Sequence, residues 1–163
     1  MKFFKQLYIN NFFFYLLIGI VALFCLAFMF PSLYNATWYI LLGIMMFFVL
    51  DIIILFSSKN GIDADRTMPE KLSNGDENPI VLTLKNFYTF PINVKIIDEI
   101  PEQFQERNFE LKRKIKTASQ DEFQYYLRPT QRGEYRFGSL NIYVSSPLKL
   151  ISKRYKFCSD VMV

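Results

Sequence analysis

Histidine is absent from the 163 residues. That excludes a histidine-based catalytic triad, histidine zinc ligands and an imidazole pH switch. Cysteine occurs twice, as Cys25 in an apolar stretch and Cys158 near the end. The placement argues against an internal disulfide, and two cysteines without histidine make no zinc site. Glycine-rich phosphate loops and nucleophile elbows are missing. Asp98-Glu99 is the nearest acidic pair, and neighbours on a strand face opposite sides. The expectation is a chain without catalytic, cofactor-binding or metal-binding residues, and not an enzyme. The most informative absence is of charge: the 45 residues from Gln6 to Leu50 hold no Asp, Glu, Lys, Arg or His.

That run is too long for one membrane span and breaks at Pro31–Thr37, leaving Phe12–Phe30 and Trp38–Phe56. At ~1.5 Å rise per residue each covers roughly 28 Å, close to the ~30 Å hydrocarbon thickness of a bilayer. A signal peptide would be shorter and end in small residues, whereas the first stretch ends Phe28-Met29-Phe30-Pro31. The buried hairpin of a soluble protein would carry polar residues at helical spacing. The expectation is therefore a transmembrane hairpin over 1–57 and a domain over 58–163. Lys2 and Lys5 flank the hairpin, its loop has no charge, and Lys59 and Arg66 follow. The positive-inside rule then puts both termini in the cytoplasm. Tyr34, Trp38 and Tyr39 fall where an interfacial aromatic belt would lie. Asp51 is the one acid in either span; it is expected to snorkel or pair the helices, with a functional contact as the alternative.

Residues 57–163 hold 17 basic and 14 acidic side chains, too even a balance for nucleic acid. Here short alternating runs are separated by turn residues. Ile80, Leu82 and Leu84 share one phase, as do Ile92, Val94 and Ile96; Phe109, Leu111 and Ile115; and Phe123, Tyr125 and Leu127. Tyr135 and Phe137 are out of phase with Leu140, Ile142 and Val144, so a β-bulge is expected near Gly138-Ser139. Tyr155, Phe157, Val161 and Val163 read as a last strand. The expected fold is an antiparallel immunoglobulin-like β-sandwich. Gly133, in the turn before Tyr135, is expected at positive φ. Two basic clusters, Lys112-Arg113-Lys114 with Lys116 and Lys153-Arg154 with Lys156, read either as edge-strand protection or as contacts to anionic lipid.

Several stretches together resemble a bacterial family known as domain of unknown function 58. They are the hairpin with Asp51 near its end, a strand led by arginine, Arg66-Thr67-Met68-Pro69 through Gly75, Asn86 followed by Asp98-Glu99-Ile100-Pro101, Leu127-Arg128-Pro129 through Gly138, and Ser145-Ser146-Pro147-Leu148. Lys71 to Asn78 is similar to the Bacteroidetes branch. The resemblance implies a multi-pass protein of the bacterial inner membrane that works beside a MoxR-type AAA+ ATPase. Separately, the turn at Arg132 and Gly133 with Tyr135 reads either as a partner contact or as an exposed turn charge. Family members continue into a von Willebrand factor A-like module, while this sequence stops at Val163 within an alternating run; a fragment of a longer chain is expected. The function expected is a membrane-anchored scaffold that presents a downstream module or partner. The alternative is an anionic-lipid or envelope-ligand binding module.

Overall fold

The computed structural model describes residues 5–58, 61–106, 109–157 and 161–163. Lys2, Lys59 and Cys158, used above, lie outside them. The chain forms two compact units: residues 1–59 with 145–153, and residues 60–144 with 154–163. The first unit holds both helices and also takes in 145–153.

In the first unit, α1 (Asn11–Met29) and α2 (Tyr34–Ser57) are joined by a 3-10 turn at Pro31–Leu33. Proline fits the start of that turn because its missing N–H would have no partner there. Phe13 stacks on Phe48 at 4.5 Å and Phe24 meets Trp38 edge-on at 5.6 Å, so the helices run antiparallel. Both are long and apolar enough to cross a membrane, with mean hydropathy 2.7 over their most apolar windows. Most of their large apolar side chains are exposed, Phe28 at 91% and Tyr39 at 74% among them. A short strand, β1 (Leu7–Ile9), precedes α1 and pairs antiparallel with Ile151–Lys153. It lies inside the charge-free run, where the sequence pattern suggests no strand.

The second unit is all-β and antiparallel. One sheet consists of β2 (Ile62–Thr67), β3 (Asn78–Asn86) and β6 (Gln120–Leu127), in that order. In another, residues 154–157 of β9 (Ile151–Phe157) and 140–144 of β8 (Leu140–Ser145) lie side by side with β4 (Ile92–Asp98) and β5 (Glu110–Ile115), in the order β9-β8-β4-β5. The last strands, β7 (Arg136–Phe137) and β10 (Val161–Met162), pair with each other. Strict alternation places Ile80, Leu82, Leu84, Ile92, Ile96, Leu140, Ile142 and Val144 in a fully buried core, as period-2 geometry requires.

Three expectations need correction. The phase change at Gly138-Ser139 is present, but the device is a change of sheet: β7 pairs with β10, whereas β8 joins β4 and β9. Arg66 does not begin a strand; it sits near the end of β2, pointing inward. Gly133 is not at positive φ. Among the described residues that conformation belongs to Gly75, Gln105, Ala118 and Lys149.

Candidate functional site

The first unit contains a closed polar node around Asp51. In α2 its side chain is fully buried, so it does not snorkel. One carboxylate oxygen accepts a bond from the Ser146 hydroxyl, and the other accepts from the N–H groups of Leu150 and Ile151, both at 3.1 Å. Three donors offset the cost of burying the acid, which is the physical condition for keeping it there. Ser146 Oγ also accepts the Leu148 N–H at 3.1 Å, and Lys149 adopts φ 58° to close the turn. Asn10, ahead of α1, holds the same turn: its amide donates to the Lys149 carbonyl at 3.0 Å and accepts from Ser152 Oγ at 2.6 Å. Ser152 and Ser145 share a hydroxyl contact at 2.8 Å.

Lys153 completes the arrangement. Its ammonium donates to the Leu55 carbonyl at 3.3 Å and lies 4.8 Å from the Phe56 ring centre. A cation at a helix C-terminus meets the negative end of the helix dipole, and the ring face adds a cation–π contact. Chemically the node fixes geometry. The start of α1, the last turns of α2 and the 145–153 segment are joined through hydrogen bonds, those to Asp51 being fully buried.

The second unit holds a separate buried network between the inner faces of its sheets. Arg66 Nη1 lies 2.5 Å from Asp98 Oδ1, with both side chains fully buried. Tyr125 donates to Asp98 Oδ2 at 2.6 Å, and Arg66 Nη2 donates to the Gly138 carbonyl at 3.0 Å. The guanidinium also sits 5.1 Å from the Phe137 ring centre. Burial pushes the Asp98 carboxyl above its ordinary value, opposed by the Tyr125 hydroxyl and by Arg66. It also raises the Tyr125 phenol, as does the neighbouring Asp98 charge. Glu99 turns the other way, as neighbouring residues on an extended chain should. It accepts from the Ser139 N–H at 2.8 Å and from Asn141 Nδ2 at 2.7 Å. Burial works against the Glu99 charge, but those donors and the charges of Lys156 and Arg154 outweigh it and hold the carboxyl below its ordinary value.

The site residues expected from sequence are distributed unevenly. Arg132, Gly133 and Tyr135 do come together, with Lys71, Asn74 and Val163, around a shallow depression of about 190 Å³. Arg132 and Gly133 are exposed, whereas Tyr135 is buried and donates its hydroxyl to the Gln131 carbonyl at 2.6 Å. Lys112, Lys114 and Lys116 are exposed on and just after β5. The second basic cluster divides. Lys153 is buried in the node, Arg154 grips Asn141 Oδ1 through Nε at 3.1 Å and Nη2 at 2.6 Å, and Lys156 is exposed. Sequence reading passed over Asn10, Ser152 and Asn141, and named Ser146 without a role. Among residues already named from the sequence, Asp51 meets Ser146, and Arg66 meets Asp98 and Gly138.

No protein-family profile and no curated protein matches this chain. Among solved structures it is similar to the ASH / PapD-like domain of human CEP192 (PapD-like domain 7). The identity is 12% and the TM-score 0.44, over 60% of this chain and 82% of that one.

Proposed function

We propose that this protein is a membrane-anchored scaffold: a two-helix hairpin holds an immunoglobulin-like β-sandwich at the cytoplasmic face of a bacterial inner membrane. The observation that carries the reading is the exposure of apolar side chains along both helices, with Phe28, Tyr39, Ile18 and Met46 each at least 64% exposed. Water penalises such a surface and hydrocarbon does not. The Asp51 node supports it further, because a fully satisfied carboxylate is one that a span can carry near its end. Two antiparallel sheets meeting through Arg66, Asp98 and Tyr125 support the sandwich.

The partner is proposed as a MoxR-type AAA+ ATPase, on the strength of the family resemblance, with the depression at Arg132 and Gly133 as its contact. Alkaline extraction of membranes expressing the full chain tests the anchor. The protein should stay with the floated vesicles, and its release into the supernatant would contradict the reading. Co-expression with a MoxR-type ATPase tests the partner separately; failure to co-purify in mild detergent counts against that partner and leaves the anchor standing. The lipid-binding alternative keeps the exposed Lys112, Lys114 and Lys116 but loses Lys153 and Arg154, whose charged groups are already engaged.

A further inference from the structure

Among the strands that end sheets in the described residues, two carry paired charges of one sign on their outward faces. Strand β5 is the last of β9-β8-β4-β5, and β2 is the first of β2-β3-β6. Their charges are opposite. On its outward face β5 exposes Lys112 and Lys114, with Lys95 beside them on β4 and one acid, Glu110, bridging Lys95 at 2.6 Å and Lys112 at 2.8 Å. On its outward face β2 exposes Asp63 and Asp65, with Lys85 of β3 opposite Asp63. Each pair is spaced two residues apart, roughly 6.6–6.8 Å along a strand, so the two rows have the same pitch.

We propose that β5 of one copy pairs with β2 of a second copy, joining their sheets edge to edge. In the antiparallel register Lys114 faces Asp63 and Lys112 faces Asp65, while Ile115 meets Ile62 on the core side. Lysines on an edge ordinarily prevent strand addition. Here they select among additions: β5 against β5 sets lysine against lysine, β2 against β2 sets aspartate against aspartate, and like charges directly opposite are destabilising. Another edge, β6, exposes one carboxylate, Glu122, between Gln120 and Gln124, and so matches the lysine pair less well. Because β5 and β2 are different surfaces, the contact is head-to-tail, and copies add in open chains unless the rotation closes a ring.

The test uses the full-length chain in neutral detergent, with sedimentation measured over a range of protein and salt concentrations. Wild type should form species that grow beyond a dimer with concentration and shrink in high salt. K112E/K114E should lower the association constant at least tenfold, and D63K/D65K should do the same. Mixing the two variants should restore association, because each then offers the other's complement; that recovery also shows that both are folded. A wild type that stays monomeric throughout, association indifferent to either pair, or a mixture that fails to recover would each overturn the proposal. Monomeric wild type that binds phosphatidylglycerol vesicles through Lys112 and Lys114 would assign the basic edge to lipid instead.

Discussion

Asp51 accepts three hydrogen bonds in a site closed to water, so its removal leaves the Ser146 hydroxyl and the Leu150 and Ile151 amides without their acceptor. Each buried polar group left unsatisfied costs about 1–3 kcal/mol. Asp51→Ala should therefore loosen 145–153, and hydrogen exchange of the Leu150 and Ile151 amides should accelerate at least ~10-fold. Unchanged protection would mean that the turn holds itself. Two glycines give a paired test. A Cβ at Gly133 would meet nothing within 4 Å, and its φ is not positive; Gly133→Val should shift stability by no more than about 0.5 kcal/mol. A Cβ at Gly138 would lie 2.7 Å from Glu99 Cβ, an atom that cannot swing aside. Gly138→Ala should cost about 1–3 kcal/mol by overpacking. Urea midpoints of the two variants decide both, and a reversed order would refute the geometry at the turn. That turn also marks where sequence reading stops. Arg-Gly between two strands suggests a left-handed glycine, yet it is the approach of Glu99, some forty residues away in sequence, that demands the missing side chain at Gly138.

Strands were legible wherever one face is wholly buried and the other is not. Ile80-Leu82-Leu84 and Ile92-Val94-Ile96 alternate without interruption, and each residue lies where its phase requires. Strand β2 was obscured because its inward series Ile62, Ala64, Arg66 ends in a cation, whose burial makes sense only once Asp98 is opposite. The Asp51 node was illegible as a contact because its partners stand 95 to 100 residues away. At the end of β4 the neighbouring acids respond to pH with opposite signs. Glu99 is held below its ordinary value of 4.5, so its contribution to stability is present above that pH and is lost as pH falls through the folded value. Asp98 is raised above 3.8, so it weakens the fold as pH climbs through its window. The stability gap between wild type and Glu99→Gln should accordingly close as pH is lowered from 6 to 3. A gap that stays constant across that range would show that Glu99 acts through packing alone.

For the whole molecule, the proposed anchor would place the hairpin's apolar surface in hydrocarbon and the β unit in water. The absence of charge from Gln6 to Leu50 already points to that division; what pattern alone could not supply is the antiparallel pairing of the helices through Phe13 with Phe48 and Phe24 with Trp38. If both helices cross the bilayer, Asn35 and the β unit must lie on opposite sides of it. The most direct test is thiol labelling of the full chain in sealed inner-membrane vesicles of known orientation. Single cysteines are placed at Asn35 and at exposed Glu122 in a background with Cys25 and Cys158 replaced by serine. The account predicts that a membrane-impermeant maleimide applied from the cytoplasmic side labels position 122 and spares position 35 until detergent opens the vesicle. Labelling of both positions from the same side, before detergent, would contradict it.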